Sequence, residues 1–308
     1  MQTFGPDPMI SKKSSADGKS QGFGFLAIVI AGVCFGSSGV LAKTAMSNGL
    51  SPLSAASYRF AIASFLLLPA LLISTPRRFF VKPTDALMLG VHGTLGVSAG
   101  IFLYFQAIRS ISASLAILLL YLHPVFTLIA AKFVLREKVT LPKSMAAAIV
   151  LIGCFLAARG LEAVRPSLNA LDFAPGIGAA LAYSFYTVFG KVLLEKRRIG
   201  VQTVTVYSIL CAAVSLAAFQ AFVGFQPIDG TTLLPLIGLA IVPTLLAFSL
   251  YSFGLKRIEA GEAGITGTVE MASALILAFL FLGERLDIIQ LIGASMVLCG
   301  ISIIQMLK

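Results

Sequence analysis

The chain has 308 residues, 58% of them hydrophobic and only 12% charged, with a mean hydropathy of +0.96. That composition excludes an ordinary soluble domain, which carries about 25% charged residues, and makes lipid the natural solvent. The net charge of +10 is spread in small groups between apolar runs, the pattern of loops on one side of a membrane and not of a nucleic-acid-binding face.

Residues 1–22 are polar and carry Lys12, Lys13 and Lys19. They are expected to form a disordered cytoplasmic tail, not a cleaved signal peptide, because the run that follows is long enough to span and ends without a small-residue cleavage site. Apolar runs of spanning length then fall near 23–43, 56–75, 85–107, 113–135, 142–159, 172–193, 203–223, 231–254, 262–282 and 287–306. The separators are short, such as Thr75-Pro76-Arg77-Arg78, Arg136-Glu137-Lys138 and Glu195-Lys196-Arg197-Arg198, so none holds a soluble domain. No ten-residue segments alternate with period two, which excludes a barrel. The fold class predicted is an all-α membrane protein with ten transmembrane helices. With the N-terminus placed in the cytoplasm, fifteen Lys and Arg residues fall on that side and four (Arg109, Arg159, Arg165, Arg285) on the other, so both termini are predicted cytoplasmic.

A shift of 147 residues lays the second half on the first. Leu103-Tyr104 falls on Leu250-Tyr251, Ile111 on Ile258, Ala113 and Ala116 on Ala260 and Ala263, Glu137 on Glu284, and Gly153 on Gly300. Fourteen identities occur in the 51 positions from 103 to 153, and at shift 148 Lys43 meets Lys191. The predicted organisation is a first five-helix repeat at 23–159, a connecting loop at 160–171 and a second repeat at 172–308. An odd number of helices per repeat inverts the second copy, an arrangement that secondary transporters use to alternate access around a midplane site.

Ionisable residues inside spans are costly and mark candidate sites. His123 in the fourth span and Glu270 in the ninth are central and are also repeat mates. A carboxylate and an imidazole brought together there bind a zwitterion or relay a proton; the bland alternative is hydrogen bonding within helix packing. His92 shares a predicted helical face with Gly96, Ala99, Leu103 and Gln106 in the third span. Tyr183, Tyr186, Thr187 and Lys191 recur at helical spacing in the sixth, a face for stacking an organic solute or simply for aromatic packing. Lys43 and Lys191 are candidate cations at cavity ends, with snorkelling to the interface as the alternative. The four cysteines sit in apolar runs and read as small buried hydrophobes. No nucleotide-binding loop, metal-ligand spacing or nucleophile motif is present, so neither an enzyme, a cofactor nor a metal is expected.

The residues resemble a known family. Phe35-Gly36-Ser37-Ser38 running to Lys43, Arg59 within Tyr58-Arg59-Phe60, and Leu282-Gly283-Glu284-Arg285-Leu286 followed by Gln290, Gly293 and Gly300 look like the drug/metabolite transporter superfamily, of the EamA-type ten-helix exporters. Leu135-Arg136-Glu137-Lys138-Val139 is the counterpart in the first half. The family often has Trp-Gly in its first helix, where this chain has Phe35-Gly36 and no Trp at all. The resemblance implies export of amino acids, aromatic ones included, related metabolites or drugs across a bacterial inner membrane. It implies a cavity lined by the first, third, fourth, sixth, eighth and ninth spans. The protein is expected to work as a monomer in the bilayer, driven by protons or running downhill. A nucleotide-sugar or sugar-phosphate exchanger and a channel are the alternatives.

Overall fold

The structure is a computed structural model that describes residues 8–47, 49–73, 80–111, 113–159 and 169–306. Regular structure among these is entirely helical, as an apolar chain in hydrocarbon requires, because helices satisfy their own backbone polar groups. In chain order the helices are α1 Pro8–Met46, α2 Pro52–Ile73, α3 Pro83–Ser110, α4 (Ala113–Leu120 and His123–Val134), α5 Leu141–Ala157, α6 Ala170–Lys196, α7 Val201–Val223, α8 Gly230–Leu255, α9 (Ala260–Gly267 and Val269–Leu282) and α10 Ile288–Met306. Among the described residues eight of these, all but α2 and α5, are long and apolar enough to cross a membrane by the searched criteria. α5 is a shorter apolar helix, and α2 has 22 residues. Helix α1 begins at Pro8, inside the stretch expected to be a tail, whose residues 1–7 lie outside the described residues. The separator 75–78 lies outside them too, as do residues 160–168 of the connecting loop.

Two kinds of irregularity recur at matching places in the two halves. Single-turn π segments interrupt α3 at His92–Ser98 and α8 at Ile241–Leu246. In α8 the cause is local: Pro243 has no N–H, and the Thr244 hydroxyl donates to the carbonyl of Leu239 at 2.7 Å. Breaks interrupt α4 at Tyr121-Leu122, just before Pro124, and α9 at Thr268. Shifted by 147, 121–122 becomes 268–269, so the breaks are repeat mates.

Small residues set the closest approaches. A Cβ built on Gly153 would lie 2.7 Å from the Gly293 carbonyl, and one on Gly293 would lie 2.4 Å from Ala157 N, so α5 and α10 touch backbone to backbone. α1 meets α9 in the same way at Gly36, where a Cβ would sit 2.8 Å from the Glu270 carbonyl oxygen. Large apolar side chains such as Phe65, Phe133, Phe222 and Phe281 point outward, which suits a surface wetted by lipid.

Candidate functional site

The bundle encloses a cavity of about 530 Å³. Its walls come from α1, α2, α3, α4, α6, α8 and α9, so α2 joins the six helices expected there. The cavity runs from Glu270, Phe248 and Tyr186 to Ala42, Met46, Pro52 and Ile108, that is, toward the end of the bundle where α1 finishes and α2 begins.

Its lining is aromatic with two charges. Phe35, Phe60, Tyr104, Phe105, Tyr121, Tyr183, Tyr186 and Phe248 all stand on the wall. Phe35 and Phe248 meet edge-on with ring centres 5.3 Å apart, and Tyr186 meets Phe248 at 5.5 Å. Half-buried Glu270 stands just after the break in α9, and Arg59 enters from α2. The two groups attract each other electrostatically. Arg59 is fastened by α8: its guanidinium donates to the Pro243 carbonyl at 2.6 Å and to the Thr244 hydroxyl. The π segment thus presents the Pro243 carbonyl to an arginine that has several donors left for the cavity.

Of the residues singled out from the sequence, Glu270, Tyr183 and Tyr186 line the cavity. The two histidines do not line it. His123 is 1% exposed and lies behind Tyr183, stacked on it with ring centres 4.1 Å apart; its Nδ1 finds no hydrogen-bond partner among the described residues. His92, equally buried, lies behind Tyr186 at 4.7 Å, held by the Ser208 hydroxyl at 3.0 Å and the Tyr186 carbonyl at 2.9 Å. Each cavity tyrosine of α6 is therefore backed by an imidazole. His123 and Glu270 are repeat mates that the structure does not bring into contact. Gln106 is half-buried on α3 and off the cavity. The cavity face of α3 runs through Val97, Ile101, Tyr104 and Ile108, because the π segment adds a residue to the turn and breaks the simple period that joined His92 to Gln106.

The candidate lysines sit at opposite ends. Lys43 is exposed and pairs with Glu284 at 2.7 Å, beside the end toward which the cavity runs. Lys191 is buried at the far end, where its ammonium donates to the carbonyls of Leu255 and Ile258 at 2.8 and 2.7 Å and pairs with Glu195 at 2.5 Å. At that same far end Glu137 accepts from the backbone N–H of Ala260 at 2.7 Å and of Gly261 at 3.0 Å, and Lys143 pairs with Glu259 and, at 3.5 Å, with Glu262. Arg59 lines the cavity without being among the candidate site residues singled out from the sequence: its place in a family-like motif is visible there, but nothing in the spacing aims it at a cavity. No group of His, Cys, Asp and Glu among the described residues could hold a metal ion.

Comparison with known proteins agrees with this architecture. The chain is similar to an uncharacterized transporter of Archaeoglobus fulgidus, 29% identical over 91% of this chain and 96% of that one. It is similar to probable amino-acid metabolite efflux pumps of Salmonella typhimurium (27% identical, 91% and 93% covered) and Escherichia coli (25%, 91% and 93%). A solved crystal structure 19% identical in sequence has the same fold, with a TM-score of 0.76 over 94% of this chain and 97% of that one. The names of the family and of these relatives indicate a membrane transporter rather than an enzyme, and hence a small-molecule substrate. The profile of the EamA-like transporter family matches residues 22–159 and again 174–306, and with both halves covered this multi-span membrane protein belongs to that family.

Proposed function

We propose that the protein is a secondary transporter that exports amino acids and related zwitterionic metabolites by alternating access. The observation that carries this reading is one carboxylate, Glu270, and one guanidinium, Arg59, facing a single aromatic-walled cavity. An α-ammonium would pair with Glu270 and an α-carboxylate with the remaining donors of Arg59, which suit a planar carboxylate. Phe35, Tyr183, Tyr186 and Phe248 would take an apolar or aromatic side chain. A volume of about 530 Å³ lies within the usual range for sites that hold small organic molecules. A sugar phosphate fits less well: Lys43 and Lys191 are not on the wall, so its dianion would meet one cation beside an unneutralised carboxylate.

In this reading ten helices span an inner membrane as two inverted five-helix repeats with both termini cytoplasmic. The two family matches, the paired π segments and the paired helix breaks support the repeat. The cavity then opens outward, and the end holding Lys191 and Glu137 is the closed cytoplasmic side.

The test is uptake of labelled amino acids into proteoliposomes, with and without a pH gradient. Saturable uptake is expected, with efficiency reduced about tenfold or more in Arg59→Ala and Glu270→Gln, the scale of one hydrogen bond to a charged group. Gradient dependence that disappears in Glu270→Gln would assign proton coupling to that carboxyl. Full activity in both variants would overturn the site, and uptake of sugar phosphates in place of amino acids would overturn the substrate class.

A further inference from the structure

Two charged residues at the far end of the bundle, Lys191 and Glu137, have identical mates at the open end. Lys191 and Glu137 do not pair with each other. They grip one short segment, the α8–α9 turn, from two sides. Lys191 holds the carbonyls of Leu255 and Ile258, where α8 ends, and Glu137 holds the N–H groups of Ala260 and Gly261, where α9 begins. The acceptors and donors are the groups that helix ends leave unsatisfied, and the two charges match the helix dipoles they meet. At the other end the mates of the two gripping residues are Lys43 and Glu284, and the mates of Ile258 and Ala260 are Ile111 and Ala113, in the α3–α4 turn. There the two gripping residues are exposed and bound to each other at 2.7 Å.

We propose that Lys43 and Glu284 form the second half of a two-position latch, resting on each other while their end is open and parting to grip the α3–α4 turn when it closes. Lys43 would then take the carbonyls at Ile108 and Ile111, and Glu284 the N–H groups at the start of α4 near Ala113. Closing one turn requires releasing the other, so Lys191 and Glu137 would let go and pair across the opposite mouth. The exchange swaps each charged group between one polar partner set and another and leaves no charge buried alone, which keeps the two end states close in free energy. This inference rests on the alternating-access reading above and adds the residues that set its equilibrium.

The experiment labels Met46→Cys, at the cavity mouth, with a membrane-impermeant maleimide in reconstituted full-length protein whose four native cysteines are replaced by serine. Glu137→Ala weakens the grip that holds the observed state and is expected to slow labelling about fivefold or more, for two lost charge-assisted hydrogen bonds. Lys191→Met should act in the same direction, which separates the effect from a folding fault in either variant. Glu284→Ala and Lys43→Met weaken the opposite state and are expected to leave labelling as fast as or faster than in the parent, while slowing transport. If all four variants shift labelling the same way, or transport proceeds at the parental rate in Glu284→Ala, the latch is overturned. A parent protein that carries no amino-acid flux, and whose labelling ignores saturating substrate, overturns the alternating-access reading instead.

Discussion

Glu137 holds two backbone N–H groups with one carboxylate, and the strength of that hold depends on pH. Burial raises its carboxyl above the ordinary glutamate range, while the N–H groups of Gly261 and Ala260 pull it down in part; Glu259 raises it and Lys191 lowers it. Exposed and paired with Lys191 in the opposite state, it would lose the burial that raises it, so the gripping state binds the proton more tightly and gains population as pH falls through the raised range. Labelling at Met46→Cys is expected to rise as pH falls from neutral toward the ordinary glutamate range. The rise should shrink in Glu137→Ala; an unchanged slope would rule out Glu137 as its source. Individual residues also mark the limit of what the sequence makes legible. A mid-span carboxylate is rare enough to single out Glu270, and helical spacing pairs Tyr183 with Tyr186. Arg59 lies seven residues into its helix, where arginines ordinarily snorkel, and its bonds to the Pro243 carbonyl and Thr244 hydroxyl of another helix turn it inward. His123 and His92 have the right depth but stand behind tyrosines that no periodicity places in front of them.

At the scale of whole helices, contact distance decides what each can tolerate. α5 and α10 meet through Gly153 and Gly293, where an added Cβ would strike backbone atoms that cannot move aside. Gly293→Ala is expected to cost about 1–3 kcal/mol by overpacking and to lower the unfolding midpoint in detergent. Gly90→Ala on α3, where a Cβ meets nothing within 4 Å, should be neutral or slightly stabilising; equal effects from the two would refute the contact. Helix positions are read well from apolar runs, since hydrocarbon leaves the chain few alternatives. The interruptions within α3, α4, α8 and α9 are not. Pro124 and Pro243 point to bends in two of them, but α3 carries no proline beyond Pro83 at its start, and its π segment redirects the face on which Gln106 was expected to meet the cavity.

For the molecule as a whole, orientation is the property that converts a cavity into a direction of transport. In the proposed topology Ser47, between α1 and α2, faces outward and Gly200, between α6 and α7, faces the cytoplasm. In intact cells an impermeant maleimide is expected to label Ser47→Cys and to reach Gly200→Cys only after permeabilisation. The reverse pattern would turn the outward-open cavity into an inward-open one and reassign which latch is engaged. The duplicated pattern of the chain makes this symmetry readable without coordinates, because identities at a fixed shift survive in both halves. Which half is closed is not readable, since both carry a Lys and a Glu at the matching gripping positions.

The wall residue Phe35, set edge-on against Phe248 beside Tyr251, has an optical consequence. The protein contains no tryptophan, so its near-ultraviolet emission comes from tyrosine and phenylalanine. A single indole installed as Phe35→Trp would be the one indole on the cavity wall, excited well to the red of every native ring. Its colour would report how wet that space is, and its quenching would report arrivals one site at a time, without a label, a transported isotope or a second side of a membrane.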